Sequence, residues 1–414
     1  MFFAIELLVL VLAIVGIIAM FKIVVRAFKV SKAWGMLFLI GPTVAALAAI
    51  VVGPLLAGVG LYASQGYFIK KHWEDVKGPF LAFVGSWAVI VVALGITVGF
   101  IPKKTLARFR SPEAAPVIAA AGPSDAYLYV EGRRIWYKVT GTGTGTPVIL
   151  LHGGPGYPSF SLKPLEALGN DRPVVRYDQL GSGRSERAVD TTLFTIAHLV
   201  GELDSLRASL GYETVHIVGH SRGAILAFEY YRAFPQHVAS LTLSSAALSA
   251  PAWASNAKRL VATLSDSAQA AILARETLHD YDAPDYLDAV NEFSGRYVTL
   301  RPVQADLDST TAMMSGAIYT YMWGPSEFTI TGTLRDYDAT SQLRTIKVRT
   351  LYTVGEFDEA DPATIKRFAA RTPGAQIEVI PGAAHITTWD NPDATLAVVR
   401  AFLRSVDSSS LKRK

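Results

Sequence analysis

The sequence VHIVGHSRGA, at residues 215–224, runs from a series of β-forming residues into a serine bracketed by two glycines. The spacing of Gly219, Ser221 and Gly223 matches the pattern G-x-S-x-G, in which a buried strand turns sharply into a helix. Bulky side chains cannot fit two residues before or after the serine in so tight a turn. The pattern therefore predicts that Ser221 is a nucleophile, with the amides of the following helix beneath it to stabilise negative charge.

The residues around this turn alternate strand and helix signals. Repeated strand-then-helix order predicts a mostly parallel sheet covered by helices on both faces, with the first two strands forming a hairpin at one edge. The stretch 248–335 breaks the rhythm, is helical and rich in aromatic residues, and is expected to form an inserted cap. The predicted strands are Tyr127–Val130, Ile135–Thr140, Val148–Leu151, Val174–Tyr177, Val215–Val218, Leu241–Leu243, Val348–Val354 and Gln376–Ile380, and the main helices are 196–210, 223–233, 363–371 and 393–405.

A serine hydroxyl needs a base and an orienting acid to act as a nucleophile. In this type of sheet the acid follows a later strand and the histidine comes last. His385 lies just past the last predicted strand, whereas His279 falls in the cap. Among the acidic residues of LYTVGEFDEADP (351–362), Asp358 is best placed by the strand and turn, 27 residues before His385.

The stretch VILLHGGPG, at residues 148–156, ends a predicted strand in a glycine-rich loop. Such a loop lets backbone amides approach a substrate carbonyl, so we expect the amides of Gly154 and Arg222 to stabilise the oxyanion. His152 is expected to be structural. No residue pattern calls for a cofactor or a metal.

Charge divides the chain into two parts. Residues 1–110 carry 11 Lys/Arg and 3 Asp/Glu, whereas residues 111–414 carry 28 and 32, so the basic balance belongs to the N-terminal part. The rest offers no basic surface for nucleic acid. The chain has no cysteine, which excludes disulfides and thiolate catalysis.

Three long apolar segments occupy the first part of the chain. Residues 33–69 and 78–101 contain no charged side chain, and residues 7–21 are also uncharged. Since a bilayer core needs roughly 20 apolar helical residues, we expect three transmembrane helices at about 3–25, 40–62 and 79–101. A cleaved signal peptide, a buried soluble helical domain and a re-entrant hairpin near 41–54 are the alternatives.

Basic residues near these spans predict the orientation. The first loop and the segment after the third span hold eight Lys/Arg against three in the second loop. The positive-inside rule then puts residues 103–414 in the cytoplasm, attached to the inner membrane of the cell by a multi-pass region. The expected domains are a transmembrane region at 1–105, a linker at 106–124, a core in two parts at 125–247 and 336–414, and the cap at 248–335.

Six motifs follow one another in the order found in one enzyme family. The motifs are HGGPG (152–156), YDQLGSGRS (177–185), GHSRG (219–223), MWGPSEFTITGTLRDYD (322–338), GEFDEADP (355–362) and GAAHITTWDNPD (382–393). Together they resemble the proline iminopeptidase family of α/β-hydrolases, which includes the tricorn-interacting aminopeptidase, over essentially all of residues 125–405.

The resemblance implies an α/β-hydrolase fold with a helical cap and a triad of Ser221, Asp358 and His385. It also implies that Glu327 and Glu359 bind the free N-terminal amine of the substrate. Family members usually have an aromatic residue after the serine, where this chain has Arg222. We expect that side chain to bring a cation near the pocket mouth, which weakens the expectation of a strict proline preference.

Three functions are consistent with these residues. The first is a membrane-anchored serine aminopeptidase that releases an N-terminal residue from short peptides. The second is an α/β-hydrolase that acts on amino-acid amides, esters or other small molecules, and the third is a non-catalytic interaction module. Short peptides or amino-acid amides with a free N-terminus and the lipid bilayer are the expected partners; nucleic acid is not, and the sequence does not fix an oligomeric state.

Overall fold

The computed structural model describes residues 124–187 and 190–411. The three predicted transmembrane spans, the region 1–105 and nearly all of the linker lie outside these residues. No helix within the described ranges is both long and apolar enough to span a bilayer.

A single eight-stranded sheet forms the centre of the described part, in the order β1-β2-β4-β3-β5-β6-β7-β8. The pairs β1/β2 and β2/β4 are antiparallel, and all other neighbours are parallel. The mostly parallel sheet with a hairpin at one edge is therefore confirmed. The strands are β1 Ser124–Val130, β2 Arg133–Thr140, β3 Val148–Leu151, β4 Val174–Tyr177, β5 Val215–His220, β6 Val238–Ser244, β7 Arg349–Gly355 and β8 Gln376–Ile380.

Helices lie between these strands and between the two halves of the sheet. Short 3-10 segments occupy Ser159–Asn170, Thr191–Leu193, Pro235–His237 and Leu343–Thr345. The α-helices are α1 Ile196–Ser209, α2 Arg222–Ala233, α3 Ala250–Val261, α4 Asp266–Leu278, α5 Pro284–Tyr297, α6 Gln304–Met313, α7 Gly316–Met322, α8 Pro362–Arg371, α9 Thr387–Asp390 and α10 Pro392–Leu411.

Both faces of the central strands are buried, because helices pack on each side of the sheet. Successive side chains of a strand point to opposite faces. In β3, Ile149 and Leu151 pack in the large core that includes α1, α2 and α8. Val148 and Leu150 pack on the other face, against α10 and the 3-10 segment Ser159–Asn170. This arrangement explains why the central strands are continuous apolar runs rather than alternating ones.

The helices α3 to α7 interrupt the sheet between β6 and β7. Part of this segment has a small apolar core of its own, which includes Leu264, Ile272, Tyr286 and Phe293. The helices α4 and α5 thus form a core apart from the sheet, whereas α3 and α7 also contribute side chains to the large core on the sheet. The boundaries 248–335 and the other domain limits stay predictions.

Candidate active site

Ser221 lies at the turn between β5 and α2, with a backbone φ of 56° and ψ of −123°. A positive φ is unusual for a residue with a side chain and stores strain at functional sites. The glycines keep this turn possible. A Cβ on Gly219 would lie 2.4 Å from the oxygen of Gly223, and one on Gly223 would lie 2.2 Å from the oxygen of Leu151.

Asp358 and His385 come together in the loops that follow β7 and β8. His385 Nδ1 donates to Asp358 Oδ1 at 2.8 Å, and both residues are buried. Asp358 also accepts hydrogen bonds from the amides of Gly355 and Ala360. Burial alone would raise the pKa of Asp358, but the charge and hydrogen bond of His385 outweigh burial and hold the pKa below its usual value.

This pairing leaves Nε2 of His385 unprotonated and available as a base when the imidazole is neutral. Within the described residues, no hydrogen bond joins Ser221 Oγ to His385. Such contacts often shorten only when substrate is bound. The structure therefore places Asp358 and His385 in contact. Ser221 directly follows a residue whose side chain lies against His385.

That neighbour is His220, which the sequence analysis did not single out. Its Nε2 donates to the carbonyl of His385 at 2.9 Å, and the two imidazole rings are 4.6 Å apart. Burial and the adjacent His385 lower the pKa of His220 to about 3, so it is a neutral donor. Ser245 donates to the same carbonyl at 3.1 Å. Ser245 follows β6 in a run of small residues, which gave no signal of this contact.

The two predicted oxyanion donors lie on the same pocket, which Gly154, Ser221, Arg222 and Glu327 help to line. Gly154 has a φ of +51°, and a Cβ there would lie 2.5 Å from the ring of Tyr157. Within the described part of the chain, neither the amide of Gly154 nor that of Arg222 has a hydrogen-bond acceptor. Two unpaired amides beside a serine hydroxyl are what an incoming oxyanion requires.

The Arg222 side chain does not follow its expectation. The residue is 5% exposed, and its guanidinium donates to Gln179 in the interior instead of opening to the pocket mouth. Burial lowers the pKa of Arg222 to about 10, so the side chain stays charged. The backbone of Arg222 and its side chain therefore face different surroundings.

Glu359 lies beside the histidine, with its Oε1 3.8 Å from His385 Nε2. The residue is 1% exposed, and among the described residues neither carboxylate oxygen has a hydrogen-bond partner. Burial, the carboxylate of Glu327 and that of Asp358 raise the pKa of Glu359 well above its usual value. An unpaired, buried carboxylate is costly, and an arriving cation removes that cost.

Glu327 is half-buried on the loop after α7. Burial raises the pKa of its carboxyl, against the opposing effects of His385 and of the nearby Tyr319 hydroxyl. The ring of Tyr157 lies 5.4 Å from that of Tyr319. Burial and the negative charges of Glu327 and Glu359 raise the pKa of both tyrosines. The sequence analysis assigned neither tyrosine a role beside these two glutamates, although Tyr157 directly follows the glycine-rich loop.

The cap holds the Glu327 loop in place. Tyr286, at the centre of the cap core, donates to Ser326 Oγ at 3.0 Å, and Ser326 Oγ in turn accepts from the amide of Thr329. Gly324 has a φ of +152°, and a Cβ there would meet the Thr329 oxygen at 1.9 Å. Glu327 is thus presented by a tight loop whose geometry depends on contacts within the cap.

His152 is buried and structural in its contacts. Its Nδ1 donates to the carbonyl of Gly153 at 2.9 Å, and its Nε2 accepts from the amide of Gln179 at 3.0 Å. Burial and Arg222 lower its pKa to about 4. In the ranges 124–187 and 190–411, no group of three His, Asp or Glu side chains has the arrangement of a metal site.

The architecture and the geometry of the serine turn define a class. A family model described as the alpha/beta hydrolase fold matches residues 146–392. A solved structure described as VinJ is 32% identical with a TM-score of 0.66, covering 68% of this chain and 99% of that one. The chain is a hydrolase of the α/β-hydrolase fold.

Curated relatives narrow this class. A proline iminopeptidase of Heyndrickxia coagulans is 39% identical over 286 residues, covering 68% of this chain and 99% of the relative. A proline iminopeptidase of Saccharolobus solfataricus is 34% identical over 292 residues, which cover 69% of this chain and 94% of that relative. The solved proline iminopeptidase of Mycobacterium smegmatis is 31% identical with a TM-score of 0.65, covering 69% and 100%. This chain belongs to the proline iminopeptidase family, a family of aminopeptidase-type hydrolases.

The raised pKa of Glu359 predicts that this residue lowers the stability of the folded protein at high pH. A carboxyl that holds its proton more tightly in the folded protein favours folding at low pH, and this contribution is lost as pH rises through the folded pKa. We expect Glu359→Gln to raise Tm more at pH 8.5 than at pH 5.5, by about 2–4 °C for each kcal/mol recovered. Differential scanning calorimetry of the purified full-length chain measures this.

Glu356→Gln is the matched control, because Glu356 lies three residues away on the same loop but is exposed. Its substitution should give the same Tm change at both pH values. An equal Tm gain for Glu359→Gln at both pH values, or a loss at pH 8.5, would show that its carboxyl is not held in a costly state.

Proposed function

We propose that this chain is a serine aminopeptidase that releases the N-terminal residue of short peptides, proline among them, through an acyl-enzyme on Ser221. The observation that carries the proposal is Glu359, a buried carboxylate without a hydrogen-bond donor, 3.8 Å from His385 Nε2. The family relationship supports a peptide substrate. The details of chemistry and of substrate end recognition are argued below from the contacts of individual residues.

In the proposed reaction, His385 Nε2 takes the proton of Ser221 Oγ as the oxygen attacks the carbonyl of the first residue. Asp358 keeps Nδ1 protonated and stabilises the imidazolium that forms. The imidazolium gives its proton to the leaving amine as the C–N bond breaks. A water molecule, activated in the same way, then releases the acyl group as the free amino acid and restores the Ser221 hydroxyl.

The amides of Gly154 and Arg222 are the proposed donors to the oxyanion. Support comes from their position on the pocket and from the lack of any competing acceptor within the described residues. Donors fixed before the reaction need no reorganisation when charge develops. Loss of one such donor typically costs roughly 3–4 kcal/mol of transition-state stabilisation.

Glu327 and Glu359 are the proposed anchor for the substrate ammonium. Tyr319 lines the same pocket as Glu327, and we propose that its hydroxyl orients that carboxylate toward the amine. A cation held at a fixed distance from Ser221 puts the first carbonyl of the chain next to the nucleophile. A blocked amine would leave two carboxylates near each other with no counter-ion, so recognition of the free end follows from the same contacts.

Amino-acid amides and esters remain a second class of substrate. Glu327, Tyr319 and Trp323 line the pocket beside Ser221, and we assign them, with Glu359, to the released residue. None of them recognises the leaving group in this scheme. An arylamide or a simple ester of a free amino acid is therefore expected to be cleaved as well.

Attachment to a membrane is a separate part of the proposal and rests on sequence alone. The uncharged segments within 1–105 and the distribution of Lys/Arg support a multi-pass region with the hydrolase on the cytoplasmic side. Reporter fusions after residue 110, one active only in the cytoplasm and one only outside it, test this in cells. Activity of the external reporter alone, or recovery of the full chain in the soluble fraction, would refute it.

The amine anchor predicts a strong preference for free over blocked substrates. The purified full-length chain should cleave Pro-, Ala- and Leu-arylamides and leave their N-acetyl forms essentially intact. Ser221→Ala should lower kcat by roughly 10⁴–10⁶-fold. Glu327→Gln should fold normally and lower kcat/KM for the free substrate. The fall should correspond to a loss of about 2–5 kcal/mol, because a charged partner of the substrate amine is removed.

Glu356→Gln serves again as the neighbouring control and should keep wild-type kinetics. Equal turnover of free and acetylated substrates by the wild-type chain would overturn the amine anchor. Normal cleavage by Glu327→Gln would remove that residue from it.

A further inference from the structure

Arg222 combines two features that its role as a backbone donor does not explain. Its side chain is 5% exposed, and its Nε has no hydrogen-bond partner among the described residues. Burying a cation costs several kcal/mol unless the surroundings compensate. The neighbouring carboxyl of Glu202 is also buried, and burial raises its pKa to about 8, so it offers incomplete neutralisation at neutral pH.

The guanidinium instead contacts Gln179, in the loop after β4. Arg222 Nη2 donates to the side-chain oxygen of Gln179. This contact leaves the amide nitrogen of the same side chain free to donate elsewhere, and it does so to the carbonyl of His152 at 3.2 Å. Arg222 thus fixes the direction in which the Gln179 amide points.

Gln179 holds His152 at a second point. Its backbone amide donates to His152 Nε2 at 3.0 Å, and His152 Nδ1 donates to the carbonyl of Gly153 at 2.9 Å. His152 is 1% exposed, so these bonds have no competition from water. A continuous set of hydrogen bonds therefore runs from the Arg222 guanidinium to the loop that carries Gly154.

This loop has little freedom to move. A Cβ on Gly153 would lie 2.6 Å from the Ser221 Cβ, so the loop backbone passes directly against the serine. Oxyanion donors work only within a few tenths of an ångström of their best position. A shift of Gly154 would weaken stabilisation of the oxyanion, a step separate from binding of the substrate amine by Glu327 and Glu359.

We propose that the Arg222 side chain is a positioning residue for the oxyanion hole, acting through Gln179 and His152 on the Gly153–Gly154 loop. One residue then supplies one donor with its backbone and aligns the other with its side chain. The inference rests on the proposed roles of Ser221, Gly154 and the Arg222 amide. It concerns the transition state and not the recognition of the substrate amine.

A fluorophosphonate that labels serine hydrolases tests this without any need for a free amine. Its reaction with Ser221 uses the oxyanion hole, and the second-order labelling rate of the full-length chain is the primary measurement. Arg222→Met should lower that rate roughly 10–100-fold, less than the loss of a whole donor. With Ala-arylamide, kcat should fall by a similar factor while KM changes less than about 3-fold.

Two further variants separate positioning from simple stabilisation. Arg222→Lys keeps a charged donor for Gln179 and should recover the labelling rate to within about 5-fold of wild type. Gln179→Leu should reproduce the loss of Arg222→Met, and the double variant should be no worse than the poorer single one, because both act through one path. If Arg222→Met does not fold, Gln179→Leu and Arg222→Lys decide the question.

Arg172→Met is the matched control. Arg172 is 1% exposed and pairs with Asp407 at 2.9 Å, where the parallel strands begin, away from the serine. Its folded fraction should label within about 2-fold of wild type. The proposal is wrong if Arg172→Met loses as much labelling rate as Arg222→Met, if Gln179→Leu labels normally, or if the single losses multiply in the double variant. A wild-type chain that labels but cleaves no free arylamide would refute the aminopeptidase proposal alone.

Discussion

The carboxylate of Glu359 is held out of water, beside a second carboxylate and the histidine of the candidate triad, with no donor among the described residues. A folded protein keeps such a group only at a cost in stability, and its pKa rises in response. A substrate ammonium would remove that cost. The proposed preference for a free N-terminus thus follows from a buried acidic group whose charged form has no partner until substrate arrives.

An ammonium bound by Glu359 helps the proposed reaction only if Ser221 lies at a fixed distance from it. The sheet holds both residues, because Ser221 follows β5 and Glu359 follows β7. Ser221 directly follows the end of β5, while Asp358 and His385 follow β7 and β8 on the same edge of the sheet. The positive φ of Ser221 and the close approach of Gly153 leave the site little freedom. Glu327 comes from the cap, so in the proposed function the cap and the sheet select the substrate together.

The fold was largely predictable because its local signals agree with one another. The strands Val148–Leu151, Val174–Tyr177 and Gln376–Ile380 have the predicted bounds. The first two are fully buried runs that end at turn residues, whereas Gln376–Ile380 is a mostly exposed edge strand whose alternation of polar and apolar residues marks it. The bounds of β6, Val238–Ser244, extend beyond the predicted Leu241–Leu243, because pairing with β5 begins at Val238 and overrides the weak β-propensity of Ala239 and Ser240.

The candidate site was predictable where motif order fixes it and not where side-chain direction does. The contact between Asp358 and His385 was expected from a strand end and a spacing of 27 residues. The inward course of Arg222 toward Gln179 was not, because the same turn accommodates a residue pointing either way. The contact of His220 with the His385 carbonyl joins residues 165 positions apart, and no local pattern encodes it.

The most direct test of the central claim is calorimetric titration of the full-length Ser221→Ala chain with alaninamide and with N-acetylalaninamide near pH 7, in two buffers of different ionisation enthalpy. The free amide should bind at least about 30-fold more tightly, which corresponds to about 2 kcal/mol. Its binding should also release up to one proton per ligand as the buried carboxyl pair ionises. Equal affinities, or binding of the free amide without proton release, would contradict the account.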